Sequence, residues 1–234
     1  MARTYRALAA LLSYPTEALQ AATDEIATVL AAEGLVSSKR RDGIDVLLTE
    51  IATTDIYQLQ ENYFGLFDRS RTLSLHLFEH IHGESRDRGQ AMADLITLYA
   101  GHGLDMAAGE LPDFLPLFLE FLSLLPEPEA REMLAEPASI LRALADRLAK
   151  RKTAYTAVLE ALADLAQAPP VGLSAIPEED PNDLEAMDAT WEEAAVRFGP
   201  GEAMDGCGTD RLRTRLRAAE RPAAELSAVG ETRS

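Results

Sequence analysis

The stretch YFGLFDRSRTLSLHLFEHIHGESRDRGQAMADL, residues 63–95, holds three of the chain's four histidines and its densest mixture of aromatics with both charge signs. An apolar helix end, Tyr63, Phe64, Leu66 and Phe67, runs into a charged break, Asp68, Arg69, Ser70 and Arg71. A second apolar run, residues 73–81, meets a second break at 83–89, where acid and arginine pair again as Glu84, Arg86, Asp87 and Arg88. No alternating apolar and polar pattern bounded by turn residues marks a strand in it. Apolar anchors rimmed by both charge signs suit a groove for an amphipathic peptide at least as well as a reaction centre.

Helices are expected on both sides of this stretch. Toward the N-terminus, Tyr5, Leu8, Leu11 and Leu12 repeat at helical spacing and stop at Tyr14 and Pro15, and Thr16 is a start signal for the next helix. That helix places Leu19, Ala22, Ile26, Val29 and Leu30 on one face and ends at Gly34. A polar loop is expected over 37–43, then a short apolar stripe of Ile44, Leu47, Leu48 and Ile51. Asp55 and Gln58 have capping-box spacing at the head of a helix carrying Leu59, Tyr63 and Phe67.

Toward the C-terminus, residues 89–100 put Met92, Leu95, Ile96 and Tyr99 on one side, closed by Gly101 and Gly103. Residues 110–125, ELPDFLPLFLEFLSLL, are the most apolar in the chain. Pro112 suits a first helical turn, and Pro116 requires that the helix start later or bend. Pro126 and Pro128 stop this run. Two last helices carry Ile140, Leu141, Leu144 and Leu148, then Tyr155, Val158, Leu159, Leu162 and Leu165. Ala and Leu dominate where a sheet would use Val, Ile and Thr. The expected fold is all-α: a single compact helical bundle over residues 1–168, with an acidic, partly disordered tail over 169–234.

With 234 residues, 47% of them hydrophobic, the chain can bury one substantial core. A net charge of −17 opposes nucleic-acid binding, which needs clustered basic residues, and favours a basic partner. Cys207 is the only cysteine, so an intramolecular disulfide and multi-cysteine metal or iron–sulfur sites are excluded and a cytoplasmic location is expected. No segment has the apolar length needed to cross a bilayer. In the tail, Glu178, Glu179, Asp180, Asp183, Glu185, Asp188, Glu192 and Glu193 carry no basic residue among them, and Trp191, Val196 and Phe198 are candidates for one docked island.

His76, Glu79 and His80 spell HxxEH, the pattern of inverted zinc peptidases. On a helix the two histidines would share a face, but a catalytic zinc needs a third protein ligand, with His82, Glu84 and Glu160 as candidates. The plainer reading makes these histidines polar or partner-contacting residues of an amphipathic segment. The glycine-rich run 199–208 lacks the Lys and Ser/Thr of a P-loop, and Cys207 has no base fixed beside it. Glu110 and Asp113 are acids at a helix start, where the dipole and the cap explain them without catalysis.

Residues 63–95 followed by ELPDFLPLFLEFLSLLP resemble the signature of the respiratory nitrate reductase assembly chaperones, also called delta subunits, within the wider group of twin-arginine signal-binding chaperones for molybdoenzymes. The resemblance runs from about residue 5 to 165, and the tail segment WEEAAVRFG, residues 191–199, shares it. It implies an all-helical protein with no catalytic activity, no metal and no cofactor of its own. It implies a partner too, the apo catalytic subunit of a membrane-bound nitrate reductase, bound through its N-terminal segment and a second region and kept ready to receive the molybdenum cofactor. The alternatives are a chaperone for a different molybdoenzyme and, in another class, an HxxEH zinc hydrolase. Tyr63, Phe67 and Leu117 are the expected apolar anchors for a partner helix, and Asp68, Glu84 and Asp87 the expected acids for its Arg or Lys. Glu79, His80, Glu110 and Asp113 complete the candidate peptide contacts.

Overall fold

The computed structural model describes residues 2–69, 71–81, 87–106 and 109–168, with only the backbone of Ile81 and Asp87. The tail expected after residue 168, with Trp191 and Cys207, and the loop residues His82 and Glu84 lie outside the described residues. The described chain is all-α. Its helices are α1 (Arg3–Leu12), α2 (Glu17–Ala21), α3 (Thr23–Glu33), α4 (Ser38–Thr53), α5 (Ile56–Tyr63), α6 (Leu77–Ile81), α7 (Asp87–Gly101), α8 (Leu115–Leu124), α9 (Glu127–Ala135), α10 (Ala138–Lys150) and α11 (Thr156–Leu165). None is long and apolar enough to cross a membrane.

The core forms around α1. Tyr5, Leu8, Leu11 and Leu12 are buried as the spacing predicts, and Ala7 and Ala9 are small enough to bury other sides of the same helix. Helix α1 lies mainly along α8 and also touches α3 and α11, while α11 is sandwiched against α10 and α4. Its N-terminus is capped from a distance. The Glu33 carboxylate accepts the Arg3 and Thr4 N–H groups and the Thr4 hydroxyl at 2.7 to 2.8 Å, satisfying donors that a helix leaves open. Burial alone would raise the pKa of Glu33, but these hydrogen bonds and the Arg3 charge outweigh it and hold the carboxyl below its ordinary value.

Three sequence expectations need correction. The helix expected from Thr16 to Gly34 is two, because α2 ends at Ala22 and α3 restarts there. Gln20 on the short α2 donates to the carbonyls of Ile51 and Thr54, fixing it against the end of α4. Gly34 does close α3, with a φ of 64° in the left-handed region that glycine adopts without strain. The polar residues 38–43, expected as a loop, are the first turns of α4. Polarity misleads there, since Arg40 reaches across to Glu160 and Asp164 on α11 and its side chain is left only 17% exposed.

The third correction concerns proline. Pro126 and Pro128 do stop the apolar run, since α8 ends at Leu124, but three helices follow it and not two: Pro128 opens α9 as a first-turn residue whose missing N–H costs nothing. Likewise Pro116 sits in the first turn of α8, so that helix starts later, as one of the two expectations had it, and Pro112 lies outside it.

Helices α4 and α11 approach closely where Gly43 faces Ala157. A Cβ built on Gly43 would stand 2.7 Å from the Ala157 Cβ. Gly→Ala inside a helix ordinarily stabilises by about 0.5–1 kcal/mol. Here the overlap opposes it, so Gly43→Ala is expected to destabilise by about 1–3 kcal/mol in urea unfolding. The pair Gly43→Ala with Ala157→Gly should recover part of the loss. Equal midpoints for Gly43→Ala and the wild type would mean that the two helices separate freely.

Candidate partner-binding surface around His76 and Asp113

Helix α5 starts where Asp55 accepts the N–H groups of Tyr57 and Gln58 and ends in a π-helical turn, Phe64–Asp68, where the Arg69 N–H reaches the Phe64 carbonyl five residues back. Such wide turns are rare and concentrate at functional sites. A 3₁₀ turn, Arg71–Leu73, follows, and the buried Arg147 of α10 donates to its Thr72 carbonyl at 2.6 Å. The chain then runs extended for a few residues. Leu115 N–H donates to Leu75 O at 2.8 Å and Leu77 N–H to Asp113 O at 3.0 Å, forming an antiparallel bridge between His76 and Phe114. It is the only β-bridge among the described residues.

This bridge delivers Asp113 to the centre of the site. Its side chain is fully buried, with one oxygen 3.2 Å from His76 Nδ1 and the other accepting the Phe78 N–H at 3.1 Å. The Arg88 guanidinium of α7 stands 3.8 Å from the same carboxylate and 3.7 Å from Glu79. A carboxylate so deep in the fold is tolerable only with donors and positive charge around it. Tyr99 of α7, also buried, donates to the Pro112 carbonyl at 2.8 Å and lies on Phe121, so α7 is tied to the residue preceding Asp113.

The site's electrostatics are those of partial burial. His80, whose Nε2 pairs with Ser74 O at 2.8 Å, has its pKa lowered chiefly by burial, with Arg147 adding to the effect and the Ser74 carbonyl, Glu79 and Asp113 opposing it. Asp68 is raised by burial, and nearby His76 pulls it back down. The sign for His80 follows. In the unfolded chain it takes a proton near 6.5, in the fold only at lower pH, so over that window the unfolded state binds more protons and stability falls as pH drops. His80→Gln is expected to flatten the stability–pH curve between about pH 5 and 7. An unchanged slope in denaturant titrations of that variant would assign the effect elsewhere.

Of the sequence candidates, Asp68, Glu79, His80 and Asp113 converge here. Glu110 is exposed at the edge of the same turn region, while Glu84 and the side chain of Asp87 lie outside the described residues. Tyr63, Phe67 and Leu117, expected as surface anchors, are interior. Tyr63 donates its hydroxyl to Leu12 O at 2.8 Å, meets Tyr14 and Tyr155 edge to face and lies tilted against Phe67, because the inner face of α5 must cover the end of α1. The apolar surface is supplied instead by residues the sequence reading did not single out as anchors. Phe64 is 55% exposed and Tyr57, two turns earlier on the same side, 77% exposed. Tyr14 lies half-exposed against Tyr63. Acids flank them, with Glu61 and Asp68 exposed.

The HxxEH helix is not formed as expected. Helix α6 begins after His76, which lies in the bridge facing Asp113, while His80 faces Ser74. The two imidazoles serve different partners, and among the described residues no three His, Cys, Asp or Glu side chains are gathered to hold a metal.

Residues 14–161 match the family described as "Nitrate reductase delta subunit". The chain is 40% identical over 206 residues to the nitrate reductase molybdenum cofactor assembly chaperone NarJ of Escherichia coli strain K12, covering 86% of each chain. It is 39% identical over 196 residues to the probable nitrate reductase molybdenum cofactor assembly chaperone NarW of the same strain, covering 80% of each. With the probable chaperone NarJ of Bacillus subtilis strain 168 it shares 32% over 162 residues, 68% of this chain and 85% of the relative. The family match over residues 14–161 and this likeness along most of both chains place the protein in the nitrate reductase delta subunit family.

Proposed function

We propose that the protein is an assembly chaperone and not an enzyme, acting in the cytoplasm on the apo catalytic subunit of a membrane-bound respiratory nitrate reductase and holding it competent for molybdenum cofactor insertion. The observation that carries this reading is the likeness, over most of both chains, to molybdenum cofactor assembly chaperones. A chaperone of this kind must bind the apo form more tightly than the holo form, because a partner held equally in both states is never released on maturation.

The surface suits the N-terminal segment of that subunit if the segment is a basic amphipathic helix. Phe64 and Tyr57 provide exposed aromatic area, Glu61, Asp68 and Glu79 provide carboxylates, and the chain's −17 charge draws a basic segment in. A second region of the catalytic subunit completes the contact. Recovery of the subunit with this protein from cells blocked in cofactor synthesis, and its loss when synthesis is restored, tests the chaperone reading; equal recovery in both would overturn it.

Calorimetric titration of the N-terminal peptide tests the surface. Phe64→Ala should weaken binding by about 1–3 kcal/mol at both low and high salt, by lost apolar burial. Asp68→Asn should weaken it chiefly at low salt, since exposed charges are screened over roughly 10 Å at 0.1 M. Unchanged affinity in both variants, with wild-type circular dichroism, would move the site elsewhere.

A further inference from the structure

Helix α7 is attached to the rest of the chain unevenly. At its C-terminal half Tyr99 is fully buried, hydrogen-bonded to Pro112 O and stacked on Phe121. Eleven residues earlier, roughly 16 Å along the helix, the described attachment is the Arg88 guanidinium, 3.7 Å from Glu79 and 3.8 Å from Asp113. Both separations are longer than a direct hydrogen bond, so charge and not hydrogen-bond geometry holds it. Between these ends Leu95 and Leu98 are only partly buried against the core and Ile96 is exposed. No helix pairs broadly with α7 among the described residues.

We infer that α7 is a strap with a fixed pivot at Tyr99 and a releasable clasp at Arg88, and that the clasp is autoinhibitory: Arg88 occupies the Glu79–Asp113 carboxylates until an arginine of the partner segment takes its place. The inference rests on the proposed reading for its trigger, not for the clasp itself. Three features make exchange easy. Arg88 is 26% exposed, so an incoming guanidinium reaches the clasp from solvent. Asp113 retains the Phe78 N–H and His76 when Arg88 leaves, so the buried carboxylate is never stranded. And one guanidinium replaces another, so the charge at the carboxylates is conserved through the exchange. Release frees the N-terminal half of α7 while Tyr99 keeps its C-terminal half in place, which couples arrival of a basic segment to movement of the strap.

Hydrogen exchange on the full chain reads the clasp directly. Arg88→Gln should speed exchange severalfold in the first two turns of α7 and leave the turn around Tyr99 unchanged. Raising salt should speed those same amides in the wild type, by screening the ion pair, and not in Arg88→Gln. Uniform exchange along α7, or no difference between the two proteins, overturns the strap. Binding reads the autoinhibition, with the N-terminal peptide of the reductase catalytic subunit and the same peptide with its arginines replaced by citrulline, a neutral isostere. Arg88→Gln should bind the arginine peptide roughly fivefold more tightly than the wild type, the size of a partly exposed ion pair removed from competition, and the citrulline peptide no more tightly. Glu79→Gln should erase the gain. Equal or weaker affinity of Arg88→Gln for a peptide that the wild type does bind refutes the clasp alone; binding to neither protein refutes the proposed reading and, with it, the trigger.

Discussion

Phe67→Ala is expected to lower the stability of the protein by about 3–5 kcal/mol, the range for removing a large aromatic from a packed core. Phe67 is 3% exposed, its ring centroid 4.9 Å from Tyr63 and 5.2 Å edge-on from Tyr155. Truncation would open a cavity between α5, the π turn and the start of α11, and it would unseat Tyr63, whose hydroxyl holds the last turn of α1. A loss of this size is a large fraction of the stability of an ordinary domain. Urea unfolding should show a lower midpoint at an unchanged slope. Phe64→Ala, three residues earlier and exposed, should stay within about 0.5 kcal/mol of wild type. If Phe67→Ala instead keeps its midpoint and loses only peptide affinity, the ring is a surface anchor and the interior placement of α5 is wrong.

The second large effect is expected at Asp113. Asp113→Ala removes, from a buried position, the acceptor of the Phe78 N–H, the partner of His76 Nδ1 and a countercharge of Arg88, and should cost about 3–5 kcal/mol, as breaking one side of a buried polar network does. Asp113→Asn keeps one acceptor oxygen and should lose less. The double variant Asp113→Ala with Arg88→Gln is the check, because removing the cation that has lost one of its two carboxylates should recover part of the loss if the two groups are coupled. Additive losses would mean that Arg88 and Asp113 do not sense each other. Wild-type stability in Asp113→Ala would show that the bridge between residues 76 and 114 holds without the carboxylate.

Helix-forming segments were legible because apolar periodicity is local. The i, i+3, i+4 repeats of Tyr5 to Leu12 and of Tyr155 to Leu165 give α1 and α11, and the Asp55 cap and the Gly34 stop stand where their chemistry puts them. Local chemistry misled where a distant residue supplied the compensation. Lys39, Arg40 and Arg41 looked like loop until α11 offered Glu160 and Asp164 to Arg40, and Glu33 gave no sign in the sequence of capping a helix thirty residues before it.

By itself the sequence determined an all-helical fold, a strongly acidic chain, and a family resemblance on the two motifs that also carry the site. Only the tertiary structure decided which of those residues face outward. Tyr63, Phe64 and Phe67 lie within five residues and share one chemistry, yet two are interior and one is exposed, because burial depends on which side of α5 and its π turn meets Leu12, Tyr14 and Tyr155. His76 and His80 have helical spacing, yet the residues 113–115 claim the backbone around His76 before α6 can include it. Asp113 reads as an ordinary acid before a helix and becomes the buried centre of the site only when the 76 and 114 segments pair, since a carboxylate's environment is a property of the contacts made across the fold and not of its neighbours in the chain.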